Sequence, residues 1–319
     1  MPGPTAPTFD LETIRPVVVE RDVIAAVRDA YVTHARGEVV SPVPGQLLFD
    51  DPPGDCHLKY GYLRTAPVFV IKVAMGFYQN VARGLPTNNG MVLVFDKATG
   101  QTVAILQDQG WLTSWRTAAG GAIAATAGAP TSVSALGVIG TGHQANLQAR
   151  WSARALKTNR IVIWGRAIAA AEALARDLCS EGFEAQAVAS VDALCRGCNV
   201  IVTCTPADQP ILPSASVRPG THIVALGADS PGKQELDPVL FRRASLVLTD
   251  DHAQCLHHGE FGHAVKTGDI PAEADVMLGD LLAGRTPPAR PGDVTIADLT
   301  GLAAQDIAIA DLVCRKLLP

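Results

Sequence analysis

Five groups of residues in this chain have the types and spacing to do chemistry. The first is Gly140-Thr141-Gly142-His143-Gln144-Ala145, which ends the apolar run Val133 to Ile139 and precedes a helical stretch, Asn146 to Ala155. A strand, a Gly-x-Gly-x-x-Ala turn and a helix make up the dinucleotide fingerprint. Gly140 permits the tight turn, Gly142 lets a pyrophosphate approach the backbone, and Ala145 lets the helix pack close to the strand. The free N–H groups at the helix start then face the phosphates. Lysines form the second group. Lys72 has Phe69, Val70, Ile71 and Val73 around it, apolar on both strand faces. An unpaired charge there is costly, and a substrate carboxylate is a natural partner. Lys59, in His57-Leu58-Lys59-Tyr60, reads equally as an outward strand residue or as a ligand group. Third is Arg116, near a helix start where cations are mildly unfavourable. Binding a carboxylate or phosphate explains it, and so does a plain surface position.

The fourth group follows strands. Gly227-Ala228-Asp229-Ser230-Pro231-Gly232-Lys233 comes directly after His222 to Leu226. Ligands of open parallel sheets bind outside the carboxyl ends of the strands, which places Asp229 for acid/base or electrostatic work. The plain alternative is a loop Asp ahead of a Pro-Gly turn. Thr205-Pro206 holds the equivalent rim position after Asn199 to Cys204. The fifth group is His252, His257, His258 and His263, close to Asp250, Asp251 and Glu260. No HExxH or similar spacing is present, so no metal is assigned. A local hydrogen-bond network of Glu260 with His263 is expected instead.

These residues need elements to hold them. A short strand around Val17 to Val19 and a helix from Arg21 to Ala35 open the chain, the helix with Val23, Ile24, Val27, Ala30 and Tyr31 near helical spacing. His57 to Leu63, Val68 to Ala74, Met91 to Phe95 and Thr102 to Leu106 read as a mostly antiparallel meander. The last two would leave open apolar edges in a small lone sheet, which proteins usually cover, so a homodimer joined through this region is expected. A helix capped by Thr113 runs to about Ala127, its alanines favouring helix. From Val133 strands and helices alternate: Arg160 to Trp164, Ala167 to Cys179, Asn199 to Cys204, His222 to Leu226, Ser245 to Leu248. That alternation predicts an α/β, doubly wound parallel sheet covered on both faces. A short strand and a helix, Ala303 to Leu317, close the chain.

With 319 residues, 48% of them hydrophobic and 18% charged, the chain has ample core for two domains and too few charges for a disordered one. A net charge of −5 without a basic run argues against a nucleic-acid or anionic-membrane partner. Thr117 to Gln148 lacks charge, but Pro130 and its Gly, Thr and Ser residues favour a buried helix, turn and strand over a membrane span. The start lacks a signal-peptide pattern, and seven scattered cysteines read as reduced thiols of a cytoplasmic protein. Cys195-Arg196-Gly197-Cys198 is a single pair, read as chance spacing.

Together these segments resemble the ornithine cyclodeaminase/mu-crystallin family. The resemblance is carried by VIKVAMGFYQN (70–80), NNGMVLVFDKATGQTVAIL (88–106), LTSWRTAAGGAIAA (112–125), LGVIGTGHQA (136–145), LGADSPGKQELDP (226–238) and TGLAAQDIAIADLV (300–313). It implies a homodimer. It also implies a β-rich α+β substrate and dimerisation domain, residues 1–117 completed by 299–319, around a Rossmann domain, residues 118–298, with the active site between them. Activities implied are reduction of ketimines or cyclic imines to α-amino acids, amino-acid dehydrogenation, ornithine cyclodeamination to proline, or NADPH-dependent ligand binding without catalysis. Carried over by motif, Lys72 and Arg116 would hold the substrate carboxylate. Asp229 would sit against the amine or imine nitrogen, and Thr300, where the family usually has Ser, near the nicotinamide.

Two departures stand out. Pro44-Gly45-Gln46 replaces an early arginine that clamps the carboxylate in several members, a place Lys59 could fill. The acidic residue expected at the end of the second Rossmann strand is also absent: Arg160 to Trp164 runs into Gly165-Arg166. Without a carboxylate there to repel a 2′-phosphate, and with Arg166 to pair with it or stack on the adenine, NADP(H) is expected ahead of NAD(H); the alternative is an Arg166 that faces solvent and a site, left roomy by Gly165, that accepts both.

Overall fold

The computed structural model describes residues 6–286, 289–290 and 292–318. The chain divides into two compact units: the chain up to Arg116 joined by the segment from Leu302, and Thr117–Gly301.

The first unit contains β1 (Thr8–Asp10), α1 (Leu11–Ile14), α2 (Glu20–Ala35), β2 (Val39–Val40), β3 (Gly45–Asp50), β4 (Pro53–Leu63), β5 (Val68–Gly76), β6 (Asn88–Asp96) and β7 (Thr102–Gln107). Its sheet runs β1-β7-β6-β5-β4-β2, with β3 also paired to β4. Every pairing is antiparallel except β1 with β7. The two-residue period of a strand puts Val68, Val70 and Lys72 on the buried face of β5. Val92 and Val94 of β6 and Ala104 and Leu106 of β7 continue the apolar core.

Two expectations for this unit need correction. Val17 to Val19 is not a strand: a 3₁₀ turn spans Arg15–Val17, with Pro16 in its first turn, and the pairing strand lies earlier, at β1. β6 and β7 are not open edges, because β6 lies between β5 and β7 and β1 covers β7. β3 instead carries a run of three exposed apolar side chains, Leu47, Leu48 and Phe49.

α3 (Trp111–Ala127) crosses the boundary between the units, which falls between Arg116 and Thr117. It starts before Thr113, and the carboxylate of Asp108 receives the Leu112 N–H at 2.7 Å. The helix continues as a run of small buried residues, Ala118, Ala119, Ala122, Ala124 and Ala125.

The second unit adds β8 (Leu136–Ile139), α4 (His143–Leu156), β9 (Arg160–Trp164), α5 (Ile168–Ser180), β10 (Glu184–Ala187), α6 (Val191–Gly197), β11 (Val200–Thr203), β12 (Asp208–Leu212), β13 (His222–Ala225) and β14 (Gln234–Leu236). Beyond these lie α7 (Leu240–Arg243), β15 (Ala244–Thr249), α8 (His252–His258), α9 (Glu260–Lys266), β16 (Asp275–Met277), α10 (Leu278–Leu282) and β17 (Val294–Asp298). α11 (Ala303–Leu317) returns to the first unit.

Eight parallel strands form the main sheet in the order β10-β9-β8-β11-β13-β17-β15-β16, and β12 pairs β14 in a small separate one. This is the expected α/β, Rossmann-type arrangement. β8, β11, β13 and β17 are buried throughout, as strands covered on both faces must be. β10, β12, β14 and β16 had no reading in the sequence; each is only three to five residues long and most lack apolar alternation.

No helix among the described residues is long and apolar enough to cross a membrane. The cysteines are free. Cys195 and Cys198 belong to the core of the second unit, where burial raises their thiols to about 11 and about 12.

Candidate active site

In the first unit, Lys72 on β5 and Arg116 on α3 are brought together by a residue that the sequence reading had not singled out. Asp306, on α11, accepts the Arg116 Nε–H at 3.0 Å through Oδ1, and its Oδ2 lies 3.0 Å from the Lys72 ammonium. Arg116 also donates through Nη1 to Gln305 Oε1 at 3.1 Å. Gln305 in turn donates to the Tyr31 hydroxyl at 2.8 Å and accepts the Leu302 N–H at 3.0 Å. Lys72, Arg116 and Asp306 are 3%, 7% and 2% exposed, so this is a buried charge cluster. Lys59 is partly buried and directly opposite Lys72 in the β4–β5 register. Like charges facing across strands repel, so Lys59 adds positive charge beside Lys72 and Arg116, against the carboxylates of Asp306 and, more remotely, Asp108.

The electrostatics follow from that imbalance. Burial pushes the Lys72 amine down to about 7; Asp306 opposes the fall, while Arg116 and Lys59 add to it. Burial works against ionising Asp306 too, but Lys72, Arg116 and Lys59 outweigh it and hold its carboxyl below the usual range. Lys72 therefore has a partner within the chain, where the sequence suggested a substrate carboxylate alone. The clue available was a Gln-Asp pair inside a helix that is buried on nearly every side, where only paired polar groups persist.

In the second unit the β8–α4 turn has the geometry of a phosphate cradle. Gly140 sits at φ 135, and a Cβ there would come within 3.0 Å of the Cys204 carbonyl oxygen. Gly142 is the N-cap of α4, without a side-chain cap, and a Cβ on it would meet nothing within 4 Å. That open approach to uncapped N–H groups suits a pyrophosphate. Ala145 is fully buried, while Thr141 and Gln144 are partly buried and His143 is exposed. Gly165, after β9, packs on this turn: its Cβ would lie 2.5 Å from Thr141 Cγ2. A larger residue at 165 would have to displace the Thr141 side chain. Arg166, next in the chain, is exposed.

At the carboxyl ends of β11 and β13, Thr205 is partly buried and Pro206 exposed. Asp229 is exposed, and Lys233 donates to its Oδ1 at 2.6 Å. Thr300, just past β17, donates its hydroxyl to Asp250 at 3.0 Å and accepts from Gln254 Nε2 at 3.1 Å. Glu260 and His263 do not bond to each other as expected. Glu260 accepts the N–H groups of Glu235 and Leu236, and His263 Nε2 meets the Lys233 carbonyl oxygen. Their helix packs on β14, which the sequence did not reveal as a strand. No group of His, Cys, Asp and Glu among the described residues could hold a metal ion.

Known proteins place this arrangement. The family model described as the ornithine cyclodeaminase/mu-crystallin family matches residues 11–318. A provisionally named dehydrogenase of Rhizobium meliloti (strain 1021) is 38% identical over 303 residues, 94% of this chain and 92% of that one. Iminosuccinate reductase of Paracoccus denitrificans (strain Pd 1222) is 35% identical over 255 residues, 80% and 79% of the two chains. Its crystal structure with NAD+ aligns over 97% of this chain and 95% of that one, with a TM-score of 0.88. An archaeal alanine dehydrogenase dimer with bound NAD aligns over 98% and 96%, at 30% identity and a TM-score of 0.90. The chain belongs to the ornithine cyclodeaminase/mu-crystallin family.

Proposed function

We propose that this protein is a nicotinamide-dependent oxidoreductase that reduces a small α-imino acid to the α-amino acid, or runs the reverse. The observation that carries the reading is the buried Lys72–Asp306–Arg116 cluster with Lys59 beside it, which holds more positive than negative charge. A carboxylate ligand would restore the balance, and charge-assisted contacts to Lys72, Arg116 and Lys59 would orient it. The Gly140–Ala145 turn would take the pyrophosphate. When bound, the nicotinamide exchanges a hydride with the carbon that bears nitrogen. Asp229 would exchange its Lys233 partner for the iminium nitrogen, stabilising the positive charge there or supplying its proton. Thr205, Pro206, Lys233 and Thr300 would border the cofactor. Orientation and fixed charge account for most of the rate gain in this scheme.

The finer assignments belong to the same proposal. The first unit serves as the substrate and dimerisation domain and the second binds the dinucleotide. NADP(H) is preferred over NAD(H) through Arg166, which is exposed just past β9 where no carboxylate stands to repel a 2′-phosphate. The protein works as a cytoplasmic homodimer, supported by the exposed Leu47, Leu48 and Phe49 on β3.

The test is oxidation of NADPH and NADH with a panel of keto acids plus amines and of cyclic imino acids. Consumption of reduced nicotinamide with one of these supports the reading. Ammonia release from ornithine without added cofactor would replace it with a cyclodeaminase, and tight ligand binding with no turnover would replace it with a binding protein.

A further inference from the structure

Glu235 lies on β14, is fully buried, and has no part in the chemistry proposed above. Its carboxylate nevertheless joins the ends of two neighbouring sheet strands. Oε2 accepts the Thr203 hydroxyl at 2.7 Å and the Gly227 N–H at 2.8 Å, and Oε1 accepts the Thr205 N–H at 2.6 Å. Thr203 ends β11 and Thr205 lies two residues beyond it, and Gly227 is in the loop after β13 that carries Asp229. The approach is close enough that a Cβ on Gly227 would overlap both the Glu235 carboxyl and the Thr205 carbonyl oxygen.

The same loop is fastened at its far end. Glu260 on α9 receives the Glu235 N–H at 2.6 Å and the Leu236 N–H at 3.0 Å, and His263 Nε2 meets the Lys233 carbonyl oxygen at 2.9 Å. Lys233 holds Asp229 at 2.6 Å. The segment from Gly227 to Glu235 is thus a closed clasp, and its two ends meet at one carboxylate.

We infer that Glu235 is a positioning residue for Asp229: by accepting from Thr203, Thr205 and Gly227 together it fixes where the Asp229 loop leaves the sheet. The inference rests on the reading of Asp229 given above. All three contacts donate to Glu235, so a glutamine, whose amide nitrogen can only donate, must turn one donor against another. A misplacement of under an ångström is enough to slow a positioned group.

The test is a double-mutant cycle of Glu235→Gln and Asp229→Asn, assayed with whichever imino acid of the panel turns over fastest. Glu235→Gln should lower kcat by about 10–100-fold and, through Thr205 at the cofactor, raise the KM for reduced nicotinamide by a much smaller factor. In the Asp229→Asn background it should cost less than about twofold more, because coupled groups are not additive. If the losses multiply, or if cofactor KM rises in step with the fall in kcat, the inference is overturned and Glu235 supports the nucleotide domain as a whole. Near-normal turnover of Asp229→Asn would overturn the reading of Asp229 itself, and this inference with it. If Glu235→Gln lacks a thermal transition, Thr203→Val removes one of the three contacts. It should lower kcat by roughly threefold in the wild type and not in Asp229→Asn, and equal losses in both backgrounds overturn the inference.

Discussion

Asp306 changes the meaning of two cations that stand out in the sequence. Lys72 and Arg116 are not waiting for a ligand; they share a built-in counter-ion and still leave positive charge over. Lys72→Met or Arg116→Met should therefore weaken substrates that bear a carboxylate by about tenfold or more, and neutral imines far less. Equal losses for both classes would show that these residues do not read the carboxylate. The lowered Lys72 adds a pH signature. Its amine is charged below about 7 and neutral above, so carboxylate KM should be lowest below pH 7, rise above it, and lose that dependence in Lys72→Met. Asp229→Asn should cut turnover roughly 10²–10⁴-fold and spare cofactor binding, as measured by fluorescence titration. The sequence made Lys72 visible because apolar neighbours flank it on both strand faces. It hid Asp306 because α11 looks like an ordinary apolar helix, and a counter-ion 234 positions away has no local signature.

At the scale of elements, long-period patterns were legible and short connecting pieces were not. The β8–turn–α4 unit and α11 could be read because strand and helix periods and a glycine turn all agreed. β12, β14 and β16 could not, because they are too short to show a period and are held by partners distant in sequence: Glu260 accepts the N–H groups of Glu235 and Leu236 on β14, and Thr249 donates to Asp275 on β16. The β9 turn carries a prediction of its own. Arg166→Ala should raise the KM for NADPH several-fold and leave that for NADH nearly unchanged; an enzyme that prefers NADH from the start would overturn the assignment. β17 ends in Asp298, whose carboxyl burial raises to about 7, with Asp250 adding to the rise. One oxygen accepts the Phe261 N–H at 2.9 Å, and the other has no hydrogen-bond partner among the described residues. The folded state therefore binds a proton that the unfolded chain releases near 4, and stability contributed by this group falls as pH rises from about 4 to 7. Asp298→Asn should raise stability at pH 8, by roughly 1–3 kcal/mol, and change it little at pH 4. Urea unfolding at the two pH values measures this.

For the whole molecule, the exposed apolar stretch Leu47-Leu48-Phe49 lies on a strand that, among the described residues, pairs only with β4. Sedimentation at micromolar concentration should show a homodimer, and Leu48→Glu should shift it toward monomer; a wild-type monomer would contradict the assembly. The division of the chain has a further consequence for its synthesis. The first unit begins at the N-terminus but needs α11, and the counter-charge of Lys72 and Arg116 arrives with residue 306. While the ribosome is still making the middle of the chain, the early sheet must keep two cations out of an apolar interior that lacks the direct ion-pair partner, Asp306. The nascent protein should therefore mature out of order, with the central parallel sheet protected from protease first and the strands made earliest protected last, once the final helix has emerged.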